Sequence, residues 1–586
     1  MAANSDSGDA AAATAVGAAQ SASAETANAT PARRFIREYR VTGAKHLPAT
    51  EVDAAVYPFL GPDRTEDDIR RACEALVNAY RARGLQTVAA QPATNQPAAF
   101  ARKGIVLLQV AENPVGRLRI VGAKYTAPSR IKEQAPAVAE GQVLDFAAVN
   151  RDIVALNRQA DRRVAPTLRP GVEPGTVDVD LEVKEQLPLH ASVELNNRAG
   201  PDTTPLRLNG SISATNLWQA GHTLGLSFQT SPQNTSEVKV FSGYYLVPLP
   251  NLPTASVMVQ GVKQDSNVST LGGLAVAGRG ETLGLRFMLG LPTWREWAQR
   301  PAPAGSDRSQ FYHSFSVGLD YKKYDQLLTV PANSTGGTTT SDQPTVVLTP
   351  TKAYPLAANY TATIKALRPA VGPTTKPAAG AAAGEPEMEV VATTEFNAGV
   401  NFHFRGTGSS PAENNKSRFG ADGGYFVFRG DLAQTVALAR GYEIFGKVQG
   451  QIADRPLLSA EQYTGGGSGT VRGYLEAEAT GDSAVFGSLE LRSPSFVPRR
   501  WGEWRCYVFG DMGRLTVVDP LPEQQARFDL ASVGAGSRFQ LWQHFTGGFD
   551  VGWALKDVQP NPPQGTTARG TKAHEVRVTF RAGVEY

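Results

Sequence analysis

A glycine-rich run that leads into a single arginine is the feature of this sequence with the clearest chemical potential. Residues 465–469 read Gly-Gly-Gly-Ser-Gly, and Val471, Arg472, Gly473 and Tyr474 follow. A phosphate-binding loop needs a lysine and a serine or threonine after its glycines, and the spacing of a dinucleotide-binding loop is also absent. The run therefore does not predict nucleotide binding. It predicts a flexible loop that delivers one permanently charged guanidinium, which must meet carboxylates if it is buried.

Two later segments offer acidic partners for this arginine. Both alternate between apolar and polar residues with a period of two, which is the pattern of β-strands. Residues 485–492 place Glu490 on the polar face, and residues 505–511 place Asp511 on the face opposite Val508. A bidentate arginine can join two carboxylates, so Glu490 and Asp511 are the predicted partners of Arg472. Periodicity alone leaves open the alternative that both are ordinary solvated charges.

The carboxyl terminus shows the same alternation and ends on an aromatic residue. One face is apolar and consists of Val576, Val578, Phe580, Ala582, Val584 and Tyr586. The other face carries charged and polar residues between Glu575 and Glu585. A tilted strand of about 10 residues spans a bilayer, with aromatics at the interface and its polar face toward the lumen. The sequence therefore predicts the closing strand of an outer-membrane barrel, although a soluble sheet can alternate in the same way.

Composition is compatible with a barrel and excludes other classes. Hydrophobic residues make up 41% of the chain and the mean hydropathy is -0.26, as expected when half of each strand is polar. No run of about 18 apolar residues occurs, which excludes a helical membrane protein. The 58 basic and 55 acidic residues leave a net charge of +3, which argues against a nucleic-acid partner. Two distant cysteines and seven scattered histidines predict no disulfide, no metal site and no catalytic residues.

The amino-terminal part divides into a polar tail and two similar modules. Residues 1–32, rich in Ala, Ser and Thr, are predicted to be disordered. They show neither the basic start nor the apolar stretch of a signal peptide. Because an outer-membrane protein must be exported, we expect the numbering to begin near the mature terminus, or the start codon to be misplaced.

Residues 33–112 and 113–187 each predict a strand, a helix and a returning strand. In the first module the strands are residues 35–41 and 105–110, and Thr65 opens the helix with Asp68 in a capping-box pattern. In the second module the strands are residues 117–121 and 177–183, and the helix is 146–156. The shared order predicts a tandem repeat of small α/β domains.

Residues 188–586 predict only strands. Alternating segments separated by turn residues continue to the end, and about 25 residues per strand and connection gives about 16 strands, an even number as closed bacterial barrels need. Residues 331–344 and 369–388 are long and polar, and we expect them outside the cell; residues 249–253 predict a tight periplasmic turn. The predicted fold is a transmembrane antiparallel β-barrel of about 16 strands preceded by two small α/β domains.

Several of these motifs together resemble a known superfamily, the outer-membrane polypeptide transporters with periplasmic POTRA domains. The resemblance rests on the sequence Val-Arg-Gly-Tyr at 471–474, Glu490 before Ser493-Pro494, Asp511 before Met512-Gly513, and the aromatic terminus. Two POTRA-like modules, the segment 169–176, and the motifs at 194–197 and 216–217 resemble the two-partner secretion transporters of the haemolysin secretion/activation type.

This resemblance implies a 16-stranded barrel whose sixth extracellular loop folds inward and locks Arg472 against Glu490 and Asp511. It implies a terminal-strand signal at Phe580, Val584 and Tyr586. The implied partners are a secreted exoprotein, outer-membrane lipids and the barrel-assembly machinery, without a cofactor. Tyr474 and Tyr586 stand where the family usually has phenylalanine, and residues 1–32 offer no convincing amphipathic counterpart of the family's plug helix.

The resemblance also implies a location and a function. We expect an outer-membrane translocator that recognises an unfolded exoprotein with periplasmic POTRA domains and secretes it through the lumen. The alternatives are an outer-membrane protein insertase of the same superfamily, which usually carries more POTRA modules, and a passive pore, which leaves residues 33–186 without a purpose. An enzyme is the least favoured class.

Overall fold

The computed structural model describes residues 33–586, except 202, 251, 266–267, 270–275, 278, 293–308, 331–344, 370–387, 523 and 559–569. The predicted disordered tail 1–32 and the predicted long loops 331–344 and 369–388 therefore lie wholly or largely outside the described residues. The chain forms two compact units, Met1–Gln186 and Leu187–Tyr586. Among the described residues, no helix has both the length and the apolar character needed to cross a membrane.

The first unit begins with a module whose core is built around its longest helix, Glu66–Ala82. Its elements are β1 (Arg34–Ile36), β2 (Glu38–Thr42), α1 (Ala49–Val56), β3 (Gly61–Arg64), α2 (Glu66–Ala82), β4 (Ala89–Pro92), α3 (Ala98–Arg102) and β5 (Ile105–Ala111). Helix α2 starts at the predicted Thr65–Asp68 capping box, and its apolar stripe, which includes Leu76 and Tyr80, is buried in the module's core. β2 runs parallel to β5, and β4 pairs antiparallel with β5.

The second module repeats this topology around its own core. Its elements are β6 (Val115–Val121), α4 (Pro128–Glu133), α5 (Phe146–Leu156), β7 (Arg162–Pro170) and β8 (Val177–Glu185). β6 runs parallel to β8, and β7 pairs antiparallel with β8. The sheet orders β2-β5-β4 and β6-β8-β7 are equivalent. Strand β7 was not predicted from the sequence; it contains Pro166, which is tolerated because β7 lies at the edge of its sheet.

The second unit is a closed barrel. Its elements are β9 (Leu189–Asn196), β10 (Arg207–Leu217), β11 (His222–Thr230), β12 (Lys239–Leu249), β13 (Leu252–Asp265), β14 (Val268–Ser269), β15 (Val276–Ala277), β16 (Arg279–Leu291), β17 (Ser309–Val330), β18 (Thr345–Ala353), β19 (Leu356–Pro369), β20 (Met388–His403), α6 (Pro411–Ser417), β21 (Tyr425–Ala437), β22 (Glu443–Ala453), β23 (Tyr463–Gly465), β24 (Ala479–Gly481), β25 (Ser483–Arg492), β26 (Gly502–Thr516), β27 (Arg527–Leu541), β28 (Phe545–Ala554) and β29 (Val576–Glu585).

Sixteen antiparallel strands form the wall, which confirms the predicted fold class. β18 and β19 both pair with β17 and occupy one strand position, with a break at Tyr354 and Pro355. β14–β15 and β23–β24 are separate two-stranded ribbons. The wall closes where β29 pairs with β9, from Arg581 opposite Asn196 to Glu585 opposite Ser192. The predicted closing role of the terminal strand is therefore confirmed.

Alternation along the strands places apolar side chains outside and polar side chains inside. In β29, Val576 and Val578 are exposed on the outer face, as predicted. In β25 and β26, Leu489 and Val508 are exposed outside, whereas Glu490 and Asp511 are buried inside. A membrane barrel reverses the usual rule, because its outer face meets lipid and its inner face is polar.

Strand order also assigns each connection to a rim. Leu249 pairs with Leu252 across the predicted tight turn, and Pro369 pairs with Met388 at the same rim. The expected position of residues 370–387 outside the cell concerns residues outside the described ranges. The connection 454–482, between β22 and β25, is the sixth at the rim opposite the tight turn.

Candidate functional site

The sixth connection, residues 454–482, is folded against the inside of the barrel wall. Gly466, Gly467 and Gly473 have φ angles of 99°, 87° and 92°, which L-residues with a side chain rarely adopt. A Cβ at Gly467 would also lie 2.1 Å from the carboxylate of Glu476. Residues 463–467 are buried. The glycine run is therefore a tightly packed turn and not the flexible loop that the sequence predicted.

The structure brings Arg472 together with both predicted acidic residues. Its Nη1 donates a hydrogen bond of 2.6 Å to Glu490 Oε1. Its Nε and Nη2 donate to the two carboxylate oxygens of Asp511, each at 2.8 Å, and its backbone N–H donates to Asp511 Oδ2 at 3.0 Å. Asp511 thus fixes both the side chain and the backbone of Arg472, which is only 5% exposed.

An aromatic ring completes the surroundings of the guanidinium. The Arg472 Cζ atom lies 3.6 Å from the centroid of the Phe509 ring, a cation–π contact. Asp550 Oδ1 lies 3.8 Å from Nη1, and Ser488 Oγ bridges Arg472 Nη2 and Asp511 Oδ1. A buried charge is costly unless it is paired and hydrogen-bonded, and here both requirements are met.

The flanking residues of the arginine motif anchor it through apolar contacts. Val471 and Tyr474 are fully buried in a cluster that also contains Phe486, Leu515 and Phe528 on the barrel wall. The Tyr474 hydroxyl lies 2.9 Å from the carbonyl oxygens of Ala531 and Lys556. The phenolic oxygen thus has defined partners that a phenylalanine could not use, which gives a physical role to this departure from the family pattern.

Several residues of this cluster were not predicted from the sequence. Glu490 also accepts hydrogen bonds from Arg492 Nε at 2.9 Å and Arg538 Nη2 at 3.0 Å. Arg492 was detectable, because it lies two residues after Glu490 on the same strand face. Arg538 and Asp550 lie on β27 and β28 and meet the cluster only through the strand register, which the sequence does not reveal.

Four further acidic residues hold the sixth connection to other parts of the barrel. Glu461 pairs with Lys322 of β17 at 2.6 Å, and Glu476 pairs with Arg198 at 2.9 Å. Asp482, fully buried, accepts both arms of Arg418, which follows α6. Glu478 accepts hydrogen bonds from Thr571. The partners of these four acidic residues could not be predicted from the sequence, because they lie on distant segments of the chain.

The predicted terminal-strand residues lie on the outer face of the barrel. Phe580, Val584 and Tyr586 are exposed there. The Tyr586 backbone exchanges hydrogen bonds with Ala191 of β9, and its ring stacks on His544 with centroids 6.1 Å apart. The terminal residue thus contributes directly to closure of the barrel.

The arrangement is suited to mechanical anchoring. The acidic groups near Arg472 are occupied by arginines, which leaves them poorly placed to act as a general acid or base. Across the described ranges, no group of three or more His, Cys, Asp or Glu side chains could hold a metal ion.

Two family models match this chain. The POTRA domain of ShlB type matches residues 35–113. The haemolysin secretion/activation protein family ShlB/FhaC/HecB matches residues 376–539, which include Arg472, Glu490 and Asp511.

Curated relatives match over part of the chain. The outer membrane transporter CdiB of Escherichia coli is 26% identical over 176 residues, which are 30% of this chain and 29% of that protein. The outer membrane transporter CdiB of Dickeya dadantii is 27% identical over 115 residues, 20% of each protein. The chain thus spans less than a third of the length of these relatives.

Solved structures share the fold over nearly the whole chain. CdiB from Escherichia coli gives a TM-score of 0.57 at 18% identity and covers 97% of this chain and 93% of that one. CdiB from Acinetobacter baumannii gives 0.52 at 13%, covering 95% and 91%. BamA from Haemophilus ducreyi lacking POTRA domains 1–3 gives 0.50 at 15%, covering 94% and 100%. The chain therefore resembles the haemolysin secretion/activation family over residues 376–539 and carries a ShlB-type POTRA domain, in an outer-membrane β-barrel protein with a periplasmic POTRA region.

Proposed function

We propose that this protein recognises an unfolded exoprotein in the periplasm through two POTRA domains, residues 33–112 and 113–187, and secretes it through the lumen of the barrel, residues 188–586. The observation that carries the proposal is the sixth connection, which is held inside the barrel by the buried cluster around Arg472. A passive pore has no need of a loop fixed in this way. A translocator needs a defined resting state that its substrate can alter.

The edges of the two POTRA sheets support the recognition step. β2 and β6 are edge strands that run parallel to β5 and β8, respectively. An edge strand presents unpaired backbone N–H and C=O groups, to which an extended peptide can add as a further strand. Such pairing reads the backbone and tolerates many side-chain sequences, as the capture of an unfolded chain requires.

The cluster around Arg472 acts as a lock in this proposal. Its ion pairs have defined geometry but no covalent bond, so the sixth connection can be displaced and can return. The glycine run lacks the lysine of a phosphate-binding loop, and transport proceeds without ATP. The substrate is drawn outward by folding on the far side.

Membrane insertion depends on the outer face and the terminal strand. The exposed apolar residues of that face contact outer-membrane lipids, and Phe580, Val584 and Tyr586 form the signal that the barrel-assembly machinery recognises. Interfacial aromatics and an apolar outer band are what a bilayer selects in a barrel.

A comparison of secreted proteins tests the proposal. Cells that lack the gene are compared with the parent, and proteins are identified in the medium and the periplasm. We expect one large exoprotein to leave the medium and accumulate in the periplasm, and the wild-type gene to restore secretion. A general loss of outer-membrane proteins would instead indicate an insertase. An unchanged medium would indicate a passive pore.

A further inference from the structure

A row of serines crosses the inner wall of the barrel on four consecutive strands. Ser192 pairs with Ser211, Ser211 with Ser227, and Ser227 with Ser242 in the strand register of β9 to β12. Their neighbours Val193, Ile212, Leu226 and Phe241 are exposed on the outer face, so the serines face the lumen. Neighbouring strands are about 4.8 Å apart, so the row covers about 14 Å of wall.

The row lines an open cavity of about 650 Å³ inside the barrel. Val262 and Thr282 continue the lining on β13 and β16, and Ala460 of the sixth connection lies on it as well. The described part of the chain therefore leaves this cavity open while the sixth connection is in place.

The charged residues of the cavity already have partners. Arg198 pairs with Glu476, and Lys322 pairs with Glu461. Arg429 donates to the carbonyl oxygen of Glu461 at 3.0 Å. The carboxylate of Glu194 accepts from Asn196 and Asn209. The charged side chains of the cavity are thus held by partners within the protein, and the serine row between them is uncharged.

The serine hydroxyls keep hydrogen-bonding capacity. Ser192 Oγ and Ser211 Oγ are 2.7 Å apart, and Ser227 Oγ and Ser242 Oγ are 2.6 Å apart. One hydroxyl hydrogen joins each pair, so a second hydroxyl hydrogen and several lone pairs remain free. An extended polypeptide carries one N–H and one C=O per residue that need partners. The row can supply them without retaining apolar or charged side chains.

We propose that the exoprotein crosses the lumen as an extended chain along the serine wall, Ser192, Ser211, Ser227 and Ser242, and not along the wall that the sixth connection covers. This inference rests on the proposed secretion function and specifies the path. The wall around Arg472 is blocked by the buried ion pairs of the lock. The serine wall offers the open side of the same lumen, with groups that can exchange hydrogen bonds with any backbone.

Disulfide trapping of a halted substrate tests the path. The exoprotein identified by the comparison of secreted proteins receives one cysteine and, at its trailing end, a stably folded domain that stops transport. The transporter carries Ser227→Cys in a Cys506→Ala background. The matched control is Ser532→Cys on β27, a lumen-facing serine that is 1% exposed. We expect a disulfide adduct with Ser227→Cys and none with Ser532→Cys.

Other outcomes overturn the path. An adduct at Ser532→Cys that equals or exceeds the one at Ser227→Cys would place the chain along the covered wall. As a second measurement, a membrane-impermeant maleimide should label Ser227→Cys in the empty transporter and fail to label it while the exoprotein is halted. Failure of the maleimide to label Ser227→Cys in the empty transporter would mean that the serine wall is not open, and it would overturn the path. Absence of any secreted protein in the wild type would contradict the proposed function itself, before the path is tested.

Discussion

Lys322 and Glu461 form a buried ion pair that joins β17 to the sixth connection, with Nζ 2.6 Å from Oε1. Their side chains are 14% and 5% exposed. Removal of one partner leaves an uncompensated charge in the lumen, which costs about 3–5 kcal/mol. We expect Lys322→Met and Glu461→Gln each to lower the free energy of unfolding of the barrel by an amount of this order. Urea unfolding in lipid vesicles, followed by tryptophan fluorescence, measures it.

An exposed pair of the same residue types provides the control. Lys263 Nζ lies 2.9 Å from Glu281 Oε1, but these side chains are 70% and 49% exposed. Exposed pairs contribute little, so Lys263→Met should leave the unfolding curve unchanged. Equal effects of Lys322→Met and Lys263→Met would show that burial of the lumen pair does not matter.

Arg418 connects the segment after α6 to the end of the sixth connection. It reaches both carboxylate oxygens of Asp482, and its Nη1 also contacts the carbonyl oxygen of Leu457. Because this guanidinium is bidentate, lysine cannot replace it fully. We expect Arg418→Ala, and to a lesser degree Arg418→Lys, to expose residues 404–424 to protease added outside cells.

Arg455 is the matched control for that experiment. It pairs with Asp422 and Asp454 at the surface of the same region, and its side chain is 44% exposed. Arg455→Ala should leave the cleavage pattern of the wild type. If the protease cleaved Arg455→Ala as fast as Arg418→Ala, the loss of any ion pair in this region would expose residues 404–424, and the buried pair would have no special role.

Periodicity and resemblance together predicted much of the fold and part of the site. The period of two placed Glu490 and Asp511 on the inner face because a strand fixes the direction of each side chain. The glycine run before a single arginine indicated Arg472 as their partner, and the resemblance implied the same pairing. The capping box of Ser410 and Glu413 could have revealed α6, since a serine followed three residues later by glutamate marks a helix start.

The remaining contacts could not be predicted because barrel closure creates them. Lys322 and Glu461 are 139 residues apart, and neither sequence neighbourhood indicates the other. The serine row is visible only once four strands are in register, since Ser192, Ser211, Ser227 and Ser242 share no local motif. Register depends on every turn and bulge between the strands.

In the first POTRA module, Glu112 is a buried acceptor that joins separate segments. It accepts hydrogen bonds from the backbone N–H groups of Lys45 and His46 and from the Tyr80 hydroxyl, and His46 Nδ1 lies 2.6 Å away. Burial alone would raise the pKa of Glu112, but these hydrogen bonds outweigh it and lower the pKa from 4.5 to about 2. Because the pKa of Glu112 is lower in the folded module, the ionised carboxylate stabilises the fold fully above about pH 4.5. This stabilisation is lost as the pH falls toward 2.

We therefore expect the wild-type module to lose stability between these pH values. Glu112→Gln should lower the free energy of unfolding of the module by about 1–3 kcal/mol near neutral pH. The stability of this variant should also depend less on acid. Labelling of the buried Cys73 by dithiodipyridine, in a Cys506→Ala background, reports opening of the core. Glu51→Gln, which alters an exposed pair with Arg83, is the control. An unchanged acid response in Glu112→Gln would remove this carboxylate as the cause.

Tyr586 should matter for membrane insertion as a terminal aromatic on the outer face. Deletion of Tyr586 is expected to reduce the amount of folded barrel in the outer membrane, measured by its altered gel mobility without heating. His544→Ala removes the stacked ring beside Tyr586 but keeps the terminal aromatic, and it should insert normally. Normal insertion of the deletion variant would contradict a signal in the last strand.

Secretion by variants of Arg472 tests the central claim most directly. The amount of exoprotein in the medium is measured per folded transporter in the outer membrane, for wild type, Arg472→Lys and Arg472→Ala. Lysine keeps the charge but cannot reproduce the bidentate contact with Asp511. We expect a graded loss of secretion, partial for Arg472→Lys and near complete for Arg472→Ala, with similar amounts of folded barrel. Wild-type secretion by Arg472→Ala would contradict this claim.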